Sequence, residues 1–103
     1  MARLLTIATL AVAHATASIA VDTTAYCQTG RTASGQWTRP GIAAANWLRL
    51  GTRIRISPPA FGRSLFVVMD RIGWGTSLDL WTTSCSAALQ YGRRLERVTV
   101  LGR

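Results

Sequence analysis

Proton transfer in this chain depends on very few side chains, because histidine and lysine are nearly absent. The 103 residues include one histidine, His14, and four carboxylates, Asp22, Asp70, Asp79 and Glu96. All 12 basic residues are arginines, which stay protonated near neutral pH. Schiff-base chemistry, which needs lysine, is therefore excluded. General acid or base catalysis would use a carboxyl with a raised pKa, unless His14 remains in the mature chain.

Residues 1–20 have the features of a secretory signal peptide, whose removal would take away the histidine. Arg3 precedes an apolar run over residues 4–12, and small residues follow up to Ala20. The apolar run is too short to span a bilayer, and this three-part pattern is typical of signal peptides. We predict cleavage after Ala20, with Ala17 as the second choice. A buried or amphipathic N-terminal helix is the alternative.

Residues 21–103 would form the mature protein, which is enough chain for one small domain. They hold 11 arginines against four carboxylates, a net charge of +7, and no histidine or lysine. We predict a secreted or periplasmic protein of the cell envelope, with no transmembrane segment in the mature chain. Anionic wall polymers and lipid head groups are natural partners for this charge. Nucleic acid is disfavoured, because the chain is predicted to be exported and its arginines are spread along the sequence.

The two cysteines, Cys27 and Cys85, form an even pair in a small exported chain, and a disulfide is the expected state of such a pair. In the chain-entropy treatment, closing a loop of this length stabilises the fold by about 4 kcal/mol. A reactive thiol or two unpaired buried cysteines are the alternatives. Two cysteines and one histidine cannot supply the four ligands of a structural zinc site, so we expect no metal and no cofactor.

The mature chain has the pattern of several short strands and one short helix. Alternation over residues 52–57 predicts a strand that buries Ile54 and Ile56 and exposes arginines. Residues 64–70 are apolar on both faces, which predicts a strand buried on both sides. Further strands are predicted at 22–27, 78–81 and 95–101, an ambiguous short segment at 42–45, a turn at 58–62, and a helix at 84–91. The fold class is therefore all-β with one short helix, in a small closed barrel.

Five motifs resemble, in order and spacing, the 3D domain, a family named for three aspartates. They are Thr32–Gly35 (TASG), Leu50–Ile56 (LGTRIRI), Asp70–Gly73 (DRIG), Leu78–Leu80 (LDL) and the helix end Ala88–Arg93. The resemblance covers residues 22–101 and implies a six-stranded double-psi β-barrel. Such domains occur in membrane-bound lytic transglycosylase A and in secreted muralytic proteins. The first and third motifs are also similar to rare lipoprotein A, a related barrel.

The resemblance implies a peptidoglycan-cleaving enzyme of the lytic transglycosylase type, which needs a single acid/base carboxyl. That group protonates the glycosidic oxygen and then accepts the proton of the muramyl 6-hydroxyl as an anhydro ring closes. The candidate catalytic residues are Asp79 and Asp70. The candidate substrate-binding residues are Asn46, Thr32, Trp74 and Trp81, and the partner is the peptidoglycan glycan strand.

The chain departs from the family at two positions that matter for catalysis. Asn46 stands where the family has its first aspartate, and Gln36 stands where rare lipoprotein A has a glutamate. A non-catalytic glycan-binding or wall-loosening barrel is therefore the alternative function, and a small secreted effector or structural barrel is a third. Asp70 could instead form a turn with its own backbone, and Asp79 could pair with an arginine.

Overall fold

The computed structural model describes residues 17–73 and 75–103 of the chain. These residues form six strands and one helix, in a closed barrel. The predicted class, all-β with one short helix, is confirmed. Within the described ranges no helix is long and apolar enough to cross a membrane. The elements are β1 (Ile19–Tyr26), β2 (Ile42–Ala44), β3 (Arg53–Ala60), β4 (Arg63–Asp70), β5 (Leu78–Trp81), α1 (Cys85–Tyr91) and β6 (Arg94–Gly102).

The barrel is mixed, and its strand order differs from the order in sequence. Around the barrel the strands follow the order β1, β5, β2, β4, β3, β6, and β6 closes onto β1. The β1–β5 and β2–β4 pairs are parallel, whereas the remaining neighbours are antiparallel. Closure leaves no open edge on the sheet. The short strand β2 lies between β4 and β5, and this position determines which side chains meet at the candidate site.

The core fills the barrel interior, and β3 shows the alternation that the sequence predicts. Ile54 and Ile56 are buried at 0% and 1% exposure, while Arg53 and Arg55 are exposed. Alternate side chains of a strand point to opposite faces, so a strict polar–apolar alternation assigns the two faces directly. This prediction is confirmed.

Strand β4 is not buried on both sides, which corrects the sequence prediction. Phe66 and Val68 face the core at 1% and 0% exposure, but Leu65 is 53% exposed and Val67 is half-buried. A run of apolar residues indicates double burial only when a second layer covers the sheet. No element of the described chain covers the outer face of β4, so its apolar residues there remain in contact with solvent.

The turn predicted at residues 58–62 comprises only Phe61 and Gly62, because Pro58 and Pro59 belong to β3. Strand β3 runs to Ala60, and the chain reverses through Phe61 and Gly62, which both have positive φ. Two such residues form the tight turn that suits a two-residue hairpin. The β3–β4 ladder is irregular between Arg55 and Ala60, and a strand tolerates proline where its ladder is interrupted.

Replacing Ile54 by Ala should lower the free energy of unfolding by about 2–5 kcal/mol, because it leaves a cavity in the core. Replacing its neighbour Arg53 by Ala should change the free energy of unfolding by less than about 0.5 kcal/mol, because the side chain is exposed. Urea denaturation of the two variants measures both values. Similar losses would mean that the two faces of β3 are wrongly assigned.

The disulfide between Cys27 and Cys85 is present, which confirms that prediction. It joins the residue after β1 to the first residue of α1, across 58 positions in sequence, with the two Cα atoms 5.1 Å apart. Ser84 caps the helix, since its side-chain oxygen accepts a hydrogen bond from the Ala87 N–H at 3.1 Å. The crosslink therefore holds the end of β1 against the start of α1.

The barrel interior also holds one carboxyl. Glu96 is 0% exposed, and its Oε2 accepts a hydrogen bond of 2.7 Å from the hydroxyl of Tyr91. Its Oε1 has no hydrogen-bond partner among the described residues. Burial raises the pKa of Tyr91, and the nearby Glu96 raises it further, so the phenol remains a donor. The stability of this carboxyl in the core depends on that donor.

Replacing Tyr91 by Phe should therefore lower the free energy of unfolding by about 2–3 kcal/mol, because it leaves a buried carboxyl without its hydrogen bond. The matched control is Tyr26→Phe, which removes a hydroxyl that lies 3.4 Å from Asp70 Oδ2 at a half-buried position beside a surface cavity. That control should lose less than about 1 kcal/mol in the same urea titration. An equal loss in both variants would contradict the special dependence of Glu96 on Tyr91.

Candidate active site

The barrel brings the two candidate catalytic aspartates to opposite sides of one small residue. Ala44 of β2 pairs with Asp70 of β4 on one side and with Asp79 of β5 on the other. Two strand spacings separate the aspartates, so their Cα atoms lie about 10 Å apart. The methyl side chain of Ala44 leaves the space between them open, and all three residues line one surface cavity.

Asp79 is half-buried and accepts a hydrogen bond of 2.9 Å from the Thr24 hydroxyl. Burial raises the pKa of Asp79, the Thr24 hydrogen bond acts in the opposite direction, and the negative charge of Asp70 adds a smaller increase. The raised pKa is the property that a general acid requires.

The alternative interpretation of Asp79, as the partner of an arginine, is wrong. Within residues 17–73 and 75–103, the one ion pair joins Arg93 to Asp22. No guanidinium therefore holds Asp79 in its charged form in the part of the chain that the structure describes.

Asp70 has a different environment, since it anchors a loop. Its Oδ1 accepts hydrogen bonds of 2.9 Å from the backbone N–H groups of Ala33 and Arg71, and its Oδ2 accepts a longer one from Tyr26. The Ser34 N–H also donates to the backbone oxygen of Met69. The bond from Arg71 is the turn-forming contact that sequence reasoning left open. Asp70 thus connects the end of β4 to the loop at residues 32–35, while it remains on the cavity wall.

Two neighbouring cavities meet at Asp79. The first, of about 460 Å³, contains both aspartates, and the second, of about 620 Å³, extends along β1 towards Arg93. Asp79 and Ile72 line both cavities. We call the two cavities together the aspartate groove. A groove that continues on both sides of a carboxyl can hold an extended chain with that carboxyl near its middle.

Two residues of the aspartate groove were missed by sequence reasoning. Thr24 and Tyr26 of β1 were interpreted only as strand residues, yet they donate hydrogen bonds to Asp79 and Asp70 respectively. Burial raises the pKa of Tyr26, and the charges of both aspartates raise it further, so its hydroxyl stays protonated. The sequence does show that Thr24 and Tyr26 alternate with inward-facing residues along β1. It does not show that β1 pairs with β5, which is the pairing that brings them to the aspartates.

The other candidate residues are spread over the barrel. Trp81 is only 5% exposed, donates its indole N–H to the Gln28 backbone oxygen, and lines a separate small cavity. Thr32 is buried, and its hydroxyl bonds to Gln36 and Ser34 within its own loop. Asn46 is half-buried beside the end of β2 and does not line the aspartate groove. Trp74 lies outside the described residues.

Trp37 offers an aromatic surface that the sequence motifs did not indicate. It is 60% exposed, and the Arg31 guanidinium lies 5.3 Å from the centre of its ring. Both residues belong to the loop whose Ala33 donates to Asp70. An exposed indole on a polar loop is a surface on which a sugar ring can stack.

Comparisons of the chain with family models, with curated proteins and with solved structures found no match.

Proposed function

We propose that the protein is a 3D-like double-psi β-barrel that cleaves peptidoglycan glycan strands as a lytic transglycosylase, with Asp79 as its acid and base. The observation that carries the proposal is the position of Asp79. It is half-buried, its pKa is raised, and it lies where two cavities meet. The closed six-stranded mixed barrel is compatible with the double-psi arrangement.

In the proposed reaction, protonated Asp79 gives its proton to the glycosidic oxygen as the bond from that oxygen to the anomeric carbon breaks. The resulting carboxylate takes the proton of the muramyl 6-hydroxyl, whose oxygen bonds to the anomeric carbon and closes the anhydro ring. The aspartate ends protonated, so one carboxyl serves both steps and no water is consumed. The negative charge of Asp70 favours the protonated form of Asp79 before the first step.

The mode of binding follows from the shape of the groove. A glycan strand would lie across the aspartate groove, with sugar units on both sides of Asp79, and the enzyme would cut within strands. The exposed ring of Trp37 would extend the binding surface beyond Asp70. Asp70 itself would act as a positioning residue. It would anchor the loop at residues 32–35, and its negative charge would help burial to keep the pKa of Asp79 raised.

The direct test is digestion of purified peptidoglycan with the mature protein, followed by mass spectrometry of the soluble fragments. Products that end in 1,6-anhydromuramyl residues are expected, and an Asp79→Asn sample should give none above background. Binding to sedimented peptidoglycan without such products would instead support the glycan-binding or wall-loosening alternative. Neither binding nor products would leave the third possibility, a secreted barrel without a glycan role.

The structure bears on where a signal peptide would be cut. Ile19 and Ala20 pair with β6, and Arg97 donates to the side-chain and backbone oxygens of Ser18 at 3.1 and 2.9 Å. Cleavage after Ala20 would remove these contacts, whereas cleavage after Ala17 would keep them. We expect N-terminal sequencing of the exported protein to begin at Ser18. A sequence that begins at Val21 would show that the first residues of β1 are dispensable.

A further inference from the structure

A second groove lies at the other end of β4 from Asp70, and it combines arginines with an apolar floor. On the outer face of the β3–β4 hairpin, Arg53 pairs with Val67 and Arg55 pairs with Leu65. The groove has a volume of about 400 Å³. We call it the arginine groove. Its lining comprises Arg39, Pro40, Gly41, Arg53, Arg55, Arg63, Leu65, Phe66, Val67 and Leu101.

Four guanidiniums line this groove, and the chain offers no carboxylate to balance them. The sequence has only four carboxylates. Asp22 is paired with Arg93, Asp70 and Asp79 line the aspartate groove, and Glu96 is buried with Tyr91. In the described chain the side chains of Arg53, Arg55 and Arg63 make no hydrogen bond or ion pair. By contrast, Arg31 donates to the Gly35 backbone oxygen and Arg39 to the Gln36 side chain. The guanidiniums of this face are therefore available to bind an anion from outside the chain.

One of these arginines is held close to the backbone. A Cβ on Gly41 would lie 2.7 Å from Arg63 Nη1, so the guanidinium packs against the glycine itself. The Gly41 backbone oxygen also accepts a hydrogen bond from the Val67 N–H at 2.8 Å. The absence of a side chain at Gly41 thus leaves room for the cation beside the apolar floor.

The apolar floor selects among possible anions. Leu65 is 53% exposed and Val67 is half-buried, on a face that no other element within residues 17–73 and 75–103 covers. A soluble polyanion would satisfy the arginines but would leave this surface in water. An anionic phospholipid satisfies both, because its phosphodiester bears the charge and its glycerol and first methylenes bury apolar surface.

We propose that the arginine groove binds the head group of an anionic phospholipid and holds the barrel at a membrane surface. Arg53, Arg55 and Arg63 contact the phosphate, and Leu65 and Val67 contact the start of the acyl chains. The aspartate groove lies at the far end of β4, so bound lipid does not block it. This binding is independent of glycan cleavage, and Asp79→Asn should leave it unchanged.

The test is flotation of the mature protein with vesicles of phosphatidylglycerol and phosphatidylcholine at physiological ionic strength, with vesicles of phosphatidylcholine alone for comparison. Arg53→Gln/Arg55→Gln should weaken binding to the anionic vesicles about 30-fold. The charge-matched control is Arg31→Gln/Arg94→Gln, whose arginines donate to Gly35 and Tyr91 outside the groove. That control should weaken binding less than about threefold.

Leu65→Gln keeps every charge and tests the apolar floor. It should weaken binding to the anionic vesicles about tenfold, because the leucine no longer buries its side chain against lipid. Equal losses in the two double arginine variants would overturn the proposal in favour of net charge alone. Full binding by Leu65→Gln would overturn the role of the apolar floor and leave an attachment to the vesicles by charge alone. Binding that does not need phosphatidylglycerol would also overturn it.

Discussion

Asp79→Asn should lower the rate of glycan cleavage by roughly 10²–10⁴-fold, because the amide cannot supply or accept the proton. The substitution keeps the shape of the side chain, and its oxygen can still accept the hydrogen bond from Thr24. Release of anhydromuramyl products measures the rate, and sedimentation with peptidoglycan measures binding, which should be nearly unchanged. Retained activity would exclude Asp79 as the acid.

The same substitution should affect stability in a pH-dependent way. Burial raises the pKa of Asp79, so the folded protein holds this proton more tightly than the unfolded chain does. The corresponding stability is fully present below the unfolded pKa and is lost as the pH rises through the folded pKa. Asp79→Asn never ionises, so its melting temperature should equal that of the wild type in acid and exceed it slightly at neutral pH.

The pH profile of activity follows from the same upward shift in the pKa of Asp79. In the proposed reaction Asp79 must first be protonated, so the rate should be highest at mildly acidic pH and fall as the carboxyl ionises. Residues 21–103 contain no histidine, so no imidazole should contribute to the profile. Asp70→Asn removes a nearby negative charge and should move the falling limb to lower pH. A profile unchanged by Asp70→Asn would mean that the two carboxyls do not interact.

Loss of the disulfide should have a large effect on stability. Replacing Cys27 and Cys85 by Ser should lower the free energy of unfolding by about 4 kcal/mol, because the unfolded chain regains the entropy of a loop spanning 58 positions. The melting temperature should fall by more than about 10 °C. Differential scanning calorimetry of the double variant, and of the reduced wild type, measures the shift.

A helix-cap variant provides the control for that experiment. Ser84→Ala removes the cap next to Cys85 but keeps the crosslink, and should lose only about 1 kcal/mol. If the double cysteine variant melted within a few degrees of the Ser84→Ala variant, the crosslink would contribute little beyond positioning α1. Two reactive thiols in the native protein would contradict the disulfide itself.

Local patterns in the sequence predicted most strands, the helix and the disulfide. The alternation of β3 and the serine cap of α1 are encoded within a few residues, and Cys27 and Cys85 have only each other as partners. The double burial predicted for β4 failed, because the apolar outer residues of a strand do not reveal whether another layer exists. Leu65 shows that an apolar strand residue can lie on an exposed outer face.

The candidate site was predicted in part. Asp70 and Asp79 were selected by motif, and the barrel places both beside Ala44. Thr24 and Tyr26, which donate hydrogen bonds to these aspartates, come from a strand about fifty residues earlier in sequence. Such contacts depend on strand order, which short-range periodicity does not contain. The exposure of Trp37 was likewise not visible in the sequence, because it depends on how the loop packs against the barrel.

The strand order also has a consequence for when the chain can fold. Among the described residues β1 pairs with β5 and β6, and Cys27, which follows β1, is crosslinked to Cys85, so these partners all lie far from β1 in sequence. The first strand must stay unpaired until residues 78–102 are available, and pairings this distant in sequence form slowly. A nascent chain with this topology cannot close its barrel before its last strand has been synthesised. The crosslink between Cys27 and Cys85 likewise joins two elements that are made far apart in time, so it can lock the barrel only after both ends of the chain are present.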